Sequence, residues 1–99
     1  TTVTAVRAVV AATGVPASHI LGRRRTHEIS DARAVACWVL RDTTALSYPA
    51  IGRLFGRHHT TVMYAVSKVE REPELLALAR KIAAAERRNR AREKKGKSA

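Results

Sequence analysis

Residues 47–70 read SYPAIGRLFGRHHTTVMYAVSKVE, and the spacing within them decides the fold. Ser47 is a natural N-cap. Tyr48 and Pro49 follow in a first turn, where proline loses nothing because its missing N–H would have no helical partner. Ile51, Leu54 and Phe55 recur at i, i+3 and i+4, the spacing of one buried stripe. Gly56 stops that helix. A tight turn through Arg57 and His58 leads into a second stripe, Val62, Ala65 or Val66, and Val69. Helix, short glycine-containing turn, helix is the helix-turn-helix pattern.

The rest of the chain supplies helices to pack against this pair. TVTAVRAVVAAT (2–13) places Val3, Val6 and Val10 on one face with Val9 beside them, and Gly14 ends the run. VPASHIL (15–21) fits a short helix with Pro16 at its first position and Ile20 and Leu21 turned inward. GRRRTHEIS (22–30) has no periodicity and reads as an exposed basic loop. Ser30 then caps a helix that carries Asp31 at its positive end and runs to about Arg41. Val35, Val39 and Leu40 are its core residues, and Trp38 lies at the edge of that face. Pro73 restarts the chain, and Leu75, Leu78 or Ala79, and Ile82 form a last stripe.

After Ala85 the large apolar residues stop. Residues 86–99, ERRNRAREKKGKSA, read as a fraying helix end and solvated basic tail. The expectation is an all-α fold: a helix-turn-helix domain over 1–85 and a basic, partly disordered tail over 86–99, without repeats or β-hairpins.

Composition narrows the function. The 99 residues suffice for one small core, and 45% are apolar, mostly Ala, Val and Leu. Nineteen Lys and Arg stand against eight Asp and Glu, a formal charge of +11. So large an excess of one sign implies a polyanionic partner, nucleic acid ahead of an anionic membrane surface. No apolar run approaches the roughly 20 residues needed to span a bilayer. Val3 to Val10 is too short and too interrupted by Arg7 for a signal peptide. Cys37 stands alone, which excludes an intramolecular disulfide and fits a reducing, cytoplasmic setting. The chain opens on Thr1, as expected of one trimmed or cut from something longer.

Candidate site residues fall in two places. Arg23, Arg24 and Arg25 cannot all pair with Glu28 and Asp31, and guanidinium groups on a loop suit phosphates or a narrow minor groove. The bland alternative is a solvated charge run. His58, His59, Thr60 and Thr61 open the second helix of the helix-turn-helix, the end that contacts base edges in the major groove. They are short, polar donors and acceptors, and the threonine methyl can pack on a thymine methyl. Thr60 or His58 could instead simply cap the helix, and capping can coexist with base contact.

Other chemistry lacks support. Adjacent histidines on a helix diverge by about 100°, so His58 and His59 rarely share an ion. With His27 and Cys37 they match no metal-binding spacing, and no metal or other cofactor is expected. Cys37 reads as a small core residue. No nucleophile elbow is present, and no small-molecule substrate or catalysis is expected. GKS at 96–98 lacks the glycine of a phosphate-binding loop, since position 91 is alanine. The tail, with Arg87, Arg88, Arg90, Arg92, Lys94, Lys95 and Lys97, would add nonspecific phosphate affinity. It has no apolar face for a membrane.

These residues resemble a known family. The 47–70 segment is similar to the signature of the C-terminal duplex-DNA-binding domain of the bacterial chromosomal replication initiator DnaA. Ile51-Gly52, Phe55, Gly56-Arg57 and His59-Thr60-Thr61-Val62 carry the pattern, and ILGRRRTHEISDARAVACWVLRD (20–42) resembles the family's basic loop and central helix. The similarity covers about residues 3–85.

The resemblance implies an all-helical, Trp-repressor-like domain that binds a short asymmetric site, the DnaA box, as a monomer. It implies Arg25 in the minor groove, with Arg24 the neighbouring candidate, and His59, Thr60 and Thr61 reading the major groove. Arg57, Arg33, Ser47 and Lys68 match positions near the phosphate backbone, and Arg23 and Arg24 are expected to join them from the basic loop. It implies a cytoplasmic, nucleoid-associated protein linked to replication initiation or its regulation. Two departures stand out. His58 occupies a position usually held by Asp, which implies an altered base preference, or tighter but less selective binding. These 99 residues also hold no ATPase module, so the chain reads as an excised domain or a stand-alone relative. The competing expectations are a DNA-coating protein acting by charge alone, and an interaction module that competes with the resident initiator and uses Trp38 and Tyr64 as contacts.

Overall fold

The computed structural model describes the backbone of residues 2–23 and 26–98, with the side chains of Arg90 and of 92–98 left aside. Among the described residues there are six helices and no strand. They are α1 (Thr2–Thr13), α2 (Ala17–Ile20), α3 (His27–Thr43), α4 (Tyr48–Phe55), α5 (His59–Arg71) and α6 (Pro73–Ser98). The fold is all-α, as the periodicity requires.

The fold is built around α3, which touches each of the other five helices. That position explains why its buried side chains run from Ala32 to Leu40 with only Trp38 interrupting. Small residues on several faces let neighbouring helices approach from several directions. Val35, Val39 and Leu40 are fully buried, as expected, while Trp38 is half-buried at the edge. Val9, Ile20, Ile51, Phe55, Val62, Val69, Ala79 and Ile82 complete the core from the surrounding helices. Cys37 lies inside it, and burial pushes the thiol from its ordinary 9.0 up to about 12, outweighing the opposing pull of Arg33 and Arg57. At neutral pH the buried thiol is protonated.

Several local expectations change. Helix α3 begins one turn earlier than Ser30: Thr26 is the N-cap, and its hydroxyl accepts from the Ile29 N–H at 3.4 Å. The reason is Ile29, which is buried in the core and needs a helical backbone to reach it. Val3 is 61% exposed, because the inward face of α1 is Ala5, Val6 and Val9. Leu21 and Leu54 are also exposed, at 44% and 42%. Leu21 lies past the end of α2, where helical phase no longer orients it. Pro16 is the N-cap of α2, one residue before its expected place.

The expected boundary at 85/86 falls inside α6, which continues to Ser98. Glu86 is buried against α1, where the Thr4 hydroxyl donates to its Oε2 at 2.8 Å. Arg87 donates to an Asp42 carboxylate oxygen at the C-terminal end of α3, at 2.6 Å. These polar anchors extend the packed part of α6 past the last apolar residue, and a reading based on apolar periodicity alone misses them.

Candidate nucleic-acid interface

The helix-turn-helix is formed by α4 and α5. The Ser47 hydroxyl accepts from the Ala50 N–H at 3.2 Å and starts α4 as expected. At the other end Gly56 adopts a left-handed conformation (φ 64°), which costs a residue without a side chain nothing. The chain reverses there, and the Arg57 N–H returns to the Gly52 carbonyl at 2.8 Å. The turn packs directly on Gly52: a Cβ at that position would lie 2.4 Å from the Arg57 carbonyl oxygen. Gly52 therefore sets how closely α5 follows α4.

His58 is the N-cap of α5. Its Nδ1 accepts from the Thr60 N–H at 3.3 Å and lies 2.8 Å from the Thr60 hydroxyl. The His59 ring rests against the His58 ring, with centroids 4.1 Å apart and planes tilted by 38°. His58, Thr60 and Thr61 are exposed and His59 is half-buried. The inward face of α5 is Val62, Val66 and Val69. Its outward face is Thr60, Met63, Tyr64 and Ser67, with Tyr64 75% exposed and Met63 45%. Sequence reasoning did not assign Met63 and Ser67 to the site. The signal was present, because 60, 63, 64 and 67 are the helical complement of the buried stripe.

A second cluster ties the basic loop to this turn, and its centre is the Gly22 carbonyl at the root of that loop. Arg33 Nη2 donates to it at 3.0 Å and Arg57 Nη2 at 2.9 Å. Arg33 also donates through Nε to the Ile20 carbonyl (2.7 Å) and through Nη2 to the His19 carbonyl (2.9 Å). Arg57 Nη1 reaches the Phe55 carbonyl at 2.7 Å. The last carbonyls of a helix lack helical partners, and here Arg33 supplies donors to those of His19 and Ile20 and shares with Arg57 the Gly22 carbonyl just beyond α2. The start of the basic loop is thereby held against the α4–α5 turn.

The expected site residues divide accordingly. His58, His59, Thr60, Thr61 and Arg57 come together at the start of α5. Arg23 is exposed in the loop beyond Gly22, while Arg24 and Arg25 lie outside the described residues. Ser47 is exposed at the start of α4. Lys68 is partly exposed, and its ammonium sits 2.6 Å from an Asp31 carboxylate oxygen, linking α5 to α3. Arg33 does not offer its guanidinium to solvent. It is 7% exposed and its donors are directed at carbonyls. The expectation of a phosphate contact came from alignment, which cannot distinguish a surface arginine from a buried one.

Between α3 and α5 runs a groove of about 390 Å³ whose polar lining includes Ser30, Arg57, Thr61 and Lys68, over a floor that includes Ala34 and Val62. Its polar rim combines hydroxyls with Arg57, which donates to the Phe55 and Gly22 carbonyls, and Lys68, which is paired with Asp31. Among the described residues no group of three or more His, Cys, Asp or Glu is placed to hold a metal, and no helix is long and apolar enough to cross a membrane.

The fold and this site define a DNA-binding helix-turn-helix domain. Residues 4–69 match the family described as the bacterial DnaA protein helix-turn-helix, and the chain belongs to that family. It is 49% identical over 59 residues to the chromosomal replication initiator protein DnaA of a Picosynechococcus species, covering 59% of this chain and 13% of that protein. It is 42% identical over 69 residues to the DnaA of Thermodesulfovibrio yellowstonii, covering 69% of this chain and 16% of the relative. With the DnaA of Mycobacteroides abscessus it shares 49% over 51 residues, covering 52% and 10%. The chain thus spans only a small fraction of the length of these relatives.

Proposed function

We propose that this chain binds a short, asymmetric duplex-DNA site of the DnaA-box type, with α5 in the major groove and the basic loop in the adjacent minor groove. His59, Thr60 and Thr61 read base edges, His58 stands beside them, and Met63 and Tyr64 give the same face an apolar surface for thymine methyls. Arg25 enters the minor groove, with Arg24 its neighbour. Arg23, Arg57, Ser47 and Lys68 contact phosphates and fix the register. Arg33 acts as a positioning residue, holding the loop rather than the DNA.

The observation that carries this reading is the shared Gly22 carbonyl. Through Arg57 it sets the root of the basic loop beside the first turn of α5. Two elements that would serve different grooves are held by one rigid joint, so a single copy can serve both. The role we assign is recognition of origin-like sites in replication initiation or its regulation, by a cytoplasmic, nucleoid-associated protein. The +11 charge alone would serve a DNA-coating protein equally well, and that reading predicts no sequence preference.

Selection of bound duplexes from a random pool at physiological salt separates the two. We expect enrichment of one short motif without two-fold symmetry, because a monomer has no symmetry to impose. A pool no different from its input contradicts the proposal and favours coating by charge.

A further inference from the structure

We propose that His58 is a specificity-determining residue that donates one hydrogen bond, from Nε2–H, to guanine in the major groove. The inference rests on the two-groove reading above and names one base within it. Its starting point is the cap. The Thr60 backbone N–H can only donate, so the His58 Nδ1 that it faces at 3.3 Å must accept. The Thr60 hydroxyl lies 2.8 Å from the same nitrogen. A neutral imidazole with its lone pair on Nδ1 carries its proton on Nε2. The local backbone therefore fixes the tautomer, and the His59 ring packed at 4.1 Å limits how the His58 ring can turn.

The consequence is chemical polarity. The side chain is exposed, and its remaining polar atom is a donor with no partner among the described residues. A lone donor cannot accept from the cytosine amino group. Of the four bases, guanine offers it two adjacent acceptors, N7 and O6. Adenine places a competing amino donor beside its N7, and thymine offers only O4 next to a methyl group. A carboxylate at the same cap position has the opposite polarity: it accepts and never donates. His58 thus inverts the preference that an Asp would impose at this base pair.

The test repeats the random-pool selection with the full chain and with H58S and H58D. Serine and aspartate are both strong N-caps, so both variants keep the start of α5, and thermal melting verifies this. The unaltered chain is expected to select guanine at the base facing the cap. H58S is expected to lose preference there alone, with a change of about tenfold between guanine and cytosine duplexes. H58D is expected to select cytosine at that position. If the unaltered chain selects a motif that both substitutions leave intact, or if all positions weaken together, this inference is overturned and the parent reading stands. If the unaltered chain selects nothing, the parent reading falls and takes this one with it.

Discussion

Replacing Arg33 by alanine is expected to cost about 3–4 kcal/mol of folding stability, because hydrogen bonds from a charged donor contribute roughly 1.5–3 kcal/mol each and an orphaned buried carbonyl costs about 1–3 kcal/mol. Three carbonyls lose a donor at once: those of His19, Ile20 and Gly22. The full sum is not reached, because Gly22 keeps Arg57 and the His19 and Gly22 carbonyls are only partly buried. Domains of this size are stable by about 5–15 kcal/mol, so the loss is a large share of the total. It should lower the melting temperature by on the order of 15 °C. R33K keeps the charge but not the fork, and should recover only part of the loss. Urea melts of the three proteins check this, and a loss below about 1 kcal/mol for R33A would show that the guanidinium is not the joint described here.

The second large effect is expected at Gly52. Helix propensity alone predicts that G52A gains about 0.5–1 kcal/mol, since glycine is costly inside a helix. Packing predicts the reverse. The new Cβ would stand 2.4 Å from the Arg57 carbonyl oxygen and 3.4 Å from the His59 nitrogen. These are backbone atoms and cannot rotate away as a side-chain end could. The α4–α5 turn has to open, which also strains the Arg57 N–H bond to Gly52. Overpacking of this kind costs about 1–3 kcal/mol or more, so packing wins. Opening the turn also moves the N-terminus of α5, and G52A is expected to lose sequence preference while keeping charge-driven binding at low salt. Calorimetry together with salt-dependent binding checks both parts. An increase in melting temperature would contradict the account.

How much of this was legible in the sequence follows from the kind of signal each residue carries. The helix-turn-helix was legible because Ile51, Phe55, Val62, Val66 and Val69 are strictly periodic and Gly56 has a conformational requirement that marks the turn. The polar cluster at the start of α5, residues 58–61, was legible as a candidate site because short polar side chains there leave the apolar stripe to begin at Val62. The start of α3 was misplaced by one turn because Thr26 and Ser30 are both competent caps, and only burial of Ile29 decides between them. The extent of packed α6 was hidden because Glu86 and Arg87 are held by Thr4 and Asp42, tertiary pairings without periodicity. The role of Arg33 was hidden for the same reason: its partners are backbone carbonyls, which every residue possesses.

The central claim is that one chain contacts both grooves at once, because Gly22 joins the basic loop to the turn before α5. Dimethyl sulfate footprinting on a selected site tests it most directly, since the reagent reports guanine N7 in the major groove and adenine N3 in the minor groove. The account predicts simultaneous protection of guanine N7 and, displaced along the duplex, of adenine N3. It also predicts that R33A, in conditions where it remains folded, loses minor-groove protection first. Protection confined to the major groove, or minor-groove protection indifferent to R33A, would contradict it.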